Sequence, residues 1–176
     1  KGVDVFEGGA EYNNTSYYIY FIASLVDSVC AVKKLVFEEK RVTFAKLCDI
    51  LKNNWQGDEK LRLIAKNLPE KYGNNNSVAD EITKEFSAYC ASIINNKPNS
   101  RGGVFKAALF SIDYFVGYGA KTMATPDGRF SGEVLSKNLC ATVGQDKNGI
   151  TALINSATKI DHSLFPNGTV LDVILH

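Results

Sequence analysis

Apolar residues recur on a helical period from Tyr17 to about Glu39, at Ile22, Leu25, Val26, Val29, Val32 and Val36. The pattern predicts one amphipathic helix behind a turn-rich entry loop, Gly8 to Thr15, with the charges of Lys33-Lys34 and Glu38-Glu39-Lys40 towards solvent. Thr43 is placed to cap a second helix running through Leu47 and Leu51 to Asn54. Gly57 interrupts the chain, and Asp58 is placed to cap a third helix carrying Leu61, Ile64 and Leu68. After a loop at Lys71 to Asn76, Ser77 starts a fourth helix with Asp80 and Glu81 in its first turn. Val78, Ile82, Phe86, Tyr89 and Ile93 line one face of it.

The pattern changes after residue 100. Val104 to Ile112 is apolar, bounded by Gly102 and Gly103, and predicts a buried strand. Two stretches dense in turn residues follow, Ala124 to Arg129 and Leu135 to Gly149, and hydrophobic periodicity explains neither. Gly149 to Lys159 predicts a short helix and Thr169 to Leu175 a last strand. Residues 1–100 are thus mostly helical and residues 101–176 read as strand–loop–helix–strand. The expectation is a mixed α/β fold in which 1–176 form part of one barrel domain, its strands belonging to a larger sheet. An apolar strand reaching the last residues, and a first residue that is not methionine, read as the ends of a segment cut from a longer chain.

Composition narrows the function classes. The chain has 176 residues, 45% of them apolar and 22% charged, enough for one globular core. Twenty basic and 19 acidic side chains leave a net charge of +1, so no field draws it to nucleic acid or anionic lipid. No apolar run is long enough to span a bilayer. Cys30, Cys48, Cys90 and Cys140 are far apart, without ligand spacing towards each other or a histidine. They predict free thiols in a reducing cytoplasm and no metal site.

Several segments carry a family resemblance in co-linear order. Gly9 to Lys34 (GAEYNNTSYYIYFIASLVDSVCAVKK) and the following Leu35-Val36-Phe37-Glu38-Glu39-Lys40 resemble a G-x-x-Y-N loop, helix and L-V-F/Y-E-E-K segment of the glycyl radical enzymes, the family of pyruvate formate-lyase. Lys71-Tyr72-Gly73-Asn74, Arg101-Gly102-Gly103 through Asp113, Pro126-Asp127-Gly128-Arg129, Gly144 to Gly149 and Pro166-Asn167-Gly168-Thr169 continue the match. Thr125 to Arg129 and Ser136 to Thr142 look most like the amino-acid and polyol dehydratase branch, trans-4-hydroxyproline dehydratase in particular. Cys140-Ala141-Thr142 departs from the S-P-x of many relatives.

The resemblance implies a piece of the family's α/β barrel, helix-rich with a few barrel strands. It implies an enzyme that removes water from a small hydroxylated substrate, an amino acid or polyol, after a thiyl radical takes a hydrogen atom. The implied partners are that small molecule and a radical-SAM iron–sulfur activase that installs the glycyl radical. The implied setting is a homodimer in the cytoplasm of an anaerobic bacterium. The family's cysteine loop, of G-C-V-E-P type, and its glycine loop, of R-V-x-G-Y type, are absent from these 176 residues. No catalytic residue, bound cofactor or metal is therefore expected in the chain itself, which alone would be inactive. Val116-Gly117-Tyr118 mimics the glycine loop but lacks its arginine and precedes the P-x-G-R turn.

Thr142 is the candidate substrate contact, a hydroxyl in a loop the resemblance places inside the barrel; bonding to its own loop backbone is the alternative. Pro126 and Gly128 suit positions i+1 and i+3 of a type I turn begun by Thr125. Arg129 is expected to pin that turn through a carboxylate, with a substrate contact as the alternative. Cys140 reads as an inert thiol and His162, beside Asp161, as a cap or surface residue. Two further readings stay open: a pyruvate formate-lyase-type acyltransferase (formate C-acetyltransferase) segment, and a non-catalytic module that complements or binds a partner.

Overall fold

The computed structural model describes residues 2–173. Two parallel strands, β1 (Thr15–Ile19) and β2 (Phe105–Leu109), pair in the register Thr15 to Phe105 through Ile19 to Leu109. Parallel neighbours need a long crossover, here four helices: α1 (Ile22–Val32), α2 (Phe44–Lys52), α3 (Glu59–Lys66) and α4 (Ser77–Ile94). After β2 come α5 (Tyr114–Lys121), the two turn-rich stretches and α6 (Gly149–Ala157).

The first predicted helix divides into three. Thr15–Ile19 is extended, because Tyr17, Tyr18 and Ile19 suit a pleated surface and β2 offers a backbone partner. Phe21 turns the chain in a left-handed conformation, φ 61°, and α1 begins at Ile22. The end of the pattern, Lys33–Glu38, is wound as a π-helix. Its wider turn carries Leu35 into the interior, and Lys34 Nζ lies 3.2 Å from Glu38 and 3.5 Å from Glu70.

The next two helices form where expected. Thr43 caps α2 by accepting a bond from the Lys46 N–H. Asp58 precedes α3 without a side-chain cap bond. The cap of α4 is Asn76 rather than Ser77: its side chain accepts from the Val78 and Ala79 N–H groups, and Ser77 is the first helical residue. Residues 114–121, read as the start of a loop, are the helix α5. Of the last predicted strand, Thr169 forms a parallel bridge to Leu109, while residues 174–176 lie outside the described residues.

Two cores result. The first packs Ile22, Val26 and Cys30 of α1 with Ala79 and Ala91 of α4 and Ala107 and Leu109 of β2. The second gathers Leu35, Leu47, Ile50, Trp55, Ala65 and Leu68 around α2 and α3. Both lie on the helical side of the strands. Side chains alternate across a strand, so with Ile19, Ala107 and Leu109 packed in the first core, Ser16, Tyr18, Lys106 and Ala108 point the other way, and Ala108 is buried there too. No helix of the described residues is long and apolar enough to cross a membrane.

Candidate functional site

In parallel α/β sheets ligands bind beyond the carboxyl ends of the strands, and here the two turn-rich stretches gather at that end. Two reciprocal contacts bring the second of them there. Ser24, in the first turn of α1, donates its N–H to the Ser136 hydroxyl oxygen and accepts at its own hydroxyl from the Ser136 N–H, at 3.0 and 2.8 Å. Ser111, just past β2, exchanges a similar pair with Asn138, at 2.7 and 2.9 Å. Asn138 in turn donates to Asp172 at 2.7 Å. The loop from Leu135 to Gln145 is thereby stapled to both strand ends.

Beneath it lies a buried polar centre that no sequence motif revealed. Asp27 of α1 is 0% exposed and Lys71 is 3% exposed. The Asp27 carboxylate accepts from the Tyr72 N–H at 2.9 Å and from the Thr142 hydroxyl at 2.8 Å, with the Lys71 ammonium 3.9 Å away. Lys71 also reaches the Asp127 carbonyl at 3.4 Å. Burial pushes the Asp27 carboxyl up to about 6 from its ordinary 3.8, against the pull of Lys71, Tyr72 and Thr142. Above this centre opens a cavity of about 260 Å³, with Thr142, Lys71, Arg129 and Gln145 among its walls. Thr142 and Val143 also border a second cavity of about 520 Å³ towards Cys140 and Asp172. Thr142 thus stands between two cavities with its proton given to Asp27, and its oxygen lone pairs remain able to accept.

The turn residues sit beside the first cavity. The Gly128 N–H donates to the Thr125 carbonyl at 3.2 Å, closing a turn with Pro126 and Asp127 at its centre. Gly128 has φ +91°, and a Cβ there would lie 2.9 Å from the Arg62 carbonyl oxygen and 3.0 Å from the Lys66 nitrogen of α3. Arg129 donates to four backbone carbonyls, those of Thr122, Met123, Phe130 and Glu133, rather than to a carboxylate. Arg62 lies over the Phe130 ring, 4.1 Å from its centre, and ties the turn to α3.

The remaining candidates are dispersed. The Cys140 thiol points at Asp172, 3.5 Å from its carbonyl oxygen, and burial raises its pKa. His162 contacts the Thr169 hydroxyl and the Ala157 carbonyl, each at 3.0 Å. Val116-Gly117-Tyr118 lies inside α5. Among the described residues, no three His, Cys, Asp or Glu side chains are grouped to hold a metal ion.

The second neighbourhood at the strand ends is aromatic. Tyr18 of β1, Tyr20 and Phe110 just past the strand ends, and Tyr114 and Tyr118 of α5 come together there. Tyr20 stacks on Tyr18 at 6.0 Å between ring centres and lies 5.4 Å from Phe21, 5.6 Å from Tyr114 and 6.3 Å from Tyr118. Tyr18 meets Phe110 edge-on at 5.0 Å. The alternation Tyr18, Tyr20 was the available signal, hidden by reading the segment as helix.

Comparison with known proteins places this arrangement. Residues 1–119 match the family described as pyruvate formate lyase-like. The chain is 40% identical to a (2S)-3-sulfopropanediol dehydratase of Klebsiella oxytoca, the alignment covering 98% of this chain and 22% of that protein. It is 33% identical to a trans-4-hydroxy-L-proline dehydratase of Clostridioides difficile over the same shares. It superposes on the glycerol-bound B12-independent glycerol dehydratase of Clostridium butyricum with a TM-score of 0.86 and 37% identity, over 93% of this chain and 21% of that one. The chain therefore spans about a fifth of the length of the relatives it matches. It belongs to the pyruvate formate lyase-like family, on the dehydratase branch of the glycyl radical enzymes.

Proposed function

We propose that these residues form part of a glycyl radical dehydratase that removes water from a small hydroxylated compound, an amino acid or a polyol. The observation that carries the reading is the alignment of 98% of this chain with 22% of each of two proteins named as dehydratases of such compounds. The strand-end geometry supports it, with two cavities that carry a few polar groups at the end where a parallel sheet binds ligands. The hydrogen-abstracting thiyl and the stored glycyl radical belong, in this reading, to segments beyond these 176 residues, and a radical-SAM activase supplies the radical. The thiols present here suit that division: burial pushes Cys30 up to about 12 and raises Cys90 and Cys140, which keeps them protonated and inert. The working enzyme is taken to be a homodimer in an anaerobic cytoplasm, a setting that matches four free cysteines.

The chain's own residues then bind and orient. Thr142 is proposed as a substrate contact that accepts a hydroxyl proton while its own proton stays on Asp27. Pro126, Gly128 and Arg129 are proposed as the rigid turn that holds the cavity wall against α3. The test is anaerobic activation of the full-length polypeptide, followed by assay on (2S)-3-sulfopropanediol, trans-4-hydroxy-L-proline and glycerol. Loss of water from at least one is expected. Turnover of none of them by a fully activated enzyme would overturn the reading.

A further inference from the structure

Two buried polar atoms of residues that wall the first cavity have no hydrogen-bond partner among the described residues. Gln145 is 7% exposed, and its side-chain oxygen Oε1 is buried without a donor. Its backbone is already committed: the N–H donates to the Thr142 carbonyl at 2.9 Å, and the carbonyl accepts from the Asn74 side chain at 2.7 Å. The residue is thus held in place while its amide oxygen is left free. Arg129, also 7% exposed, gives four N–H groups to backbone carbonyls, and its fifth, on Nε, is buried without an acceptor. An unpaired buried donor or acceptor is costly, and native proteins pair nearly all of them.

An orphaned acceptor and an orphaned donor around one cavity suit a compound that both donates and accepts. The charges suit a hydroxyl rather than an ion, because they nearly cancel: Lys66, Lys71 and Arg129 stand against Asp127 and Glu133 in the wall, with Asp27 3.9 Å from Lys71. The volume of about 260 Å³ equals roughly eight waters at about 30 Å³ each, room for a small compound.

We infer that Gln145 is a specificity-determining contact for the substrate, its amide oxygen accepting the proton of a substrate hydroxyl, with the Arg129 Nε–H open to an oxygen of the same compound. A hydroxyl satisfies the buried acceptor, an analogue lacking it leaves the acceptor unpaired, and a site of this kind rejects such analogues. The inference rests on the dehydratase reading and adds which side chain chooses a hydroxylated compound.

Gln145→Met in the full-length enzyme keeps the length of the side chain and removes the amide. Calorimetry on the unactivated enzyme measures binding of (2S)-3-sulfopropanediol, trans-4-hydroxy-L-proline and glycerol, then of the analogues of the accepted compound that each lack one hydroxyl. Wild type should prefer the accepted compound to at least one analogue by about tenfold, and the variant should lose that preference. The melting temperature of the variant without ligand should hold or rise, because an unpaired buried oxygen has gone. An equal preference in both proteins means that only water meets the amide, and overturns the inference. A lower melting temperature, whatever the preference, means that another part of the polypeptide bonds the amide, and overturns it too. Either outcome leaves the dehydratase reading standing if the activated wild type turns the compound over. Binding without turnover in wild type, with the preference lost in the variant, overturns the reaction while supporting the contact. Wild type that binds none of the three compounds overturns both.

Discussion

Asp27 shows how one residue joins distant parts of the chain. Its carboxylate receives the backbone of Tyr72 and the hydroxyl of Thr142, so α1, the residue 71–76 loop and the residue 135–145 loop meet on two oxygens. Burial makes the charged form costly. Because the carboxyl titrates near 6 when folded and near 3.8 when unfolded, it holds its proton more tightly in the folded state. Its contribution is therefore most favourable below about pH 4 and is lost as pH rises through 6, by about 3 kcal/mol for a two-unit shift. Asp27→Asn should remove this component. In melts of the full-length protein from pH 4.5 to 7.5, the stability of wild type relative to the variant should fall as pH rises. A constant difference would show that Asp27 titrates normally.

Thr142→Val separates the two partners of that hydroxyl. If Thr142 accepts a bond from substrate, the variant should lose about 1–3 kcal/mol of transition-state binding, a fall in kcat/KM of roughly ten- to a hundredfold, with unchanged radical yield. Unchanged kcat/KM beside a lower melting temperature would confine Thr142 to holding Asp27. The substrate role is an expectation from the sequence resemblance, whereas the bond to Asp27 was not legible beforehand. The pair stands 115 residues apart, and nothing local to either residue names the other.

Among the elements, local chemistry was readable where one force decided the outcome. Thr43 before an apolar-periodic run capped α2, and Gly149 to Lys159 held as a helix that ends at Ala157. The errors came where forces compete. Residues 17–19 were absorbed into a helical period because their aromatic residues continue the apolar pattern of α1; the β2 backbone, supplied from far along the chain, decided for strand. Residues 114–121 were missed because Gly117 and Gly119 lower helix propensity. Packing overrides this at Gly119, where a Cβ would lie 2.5 Å from the Glu133 carbonyl oxygen.

The 125–129 turn offers the sharpest element-scale test. Gly128→Ala places a methyl group against the α3 backbone at a backbone angle that L residues rarely adopt. A destabilisation of about 1–3 kcal/mol is expected, read as a lower denaturation midpoint of the full-length protein. An unchanged midpoint would mean that the turn and α3 are not held together as described.

At the scale of the molecule, the fold class was legible from helices preceding a strand–loop–helix pattern, and family membership from motif order. The aromatic neighbourhood was not, because β1 and α5 come together only in the fold. Parallel sheets are ordinarily covered on both faces. Here α4 packs against β2, and the tyrosines that β1 and α5 bring together at Tyr18, Tyr114 and Tyr118 remain partly exposed. That exposure, with a chain spanning about a fifth of its relatives' length, fits a wall of a larger barrel. The central claim is that these residues bind and orient substrate while the radical chemistry belongs to the rest of the polypeptide. Electron paramagnetic resonance tests it directly, on the full-length protein and on the 176-residue chain after the same anaerobic treatment with a radical-SAM activase. A stable glycine-centred doublet is expected in the first sample and none in the second. A doublet from the 176-residue chain, or none from a full-length protein given a competent activase, would contradict the account.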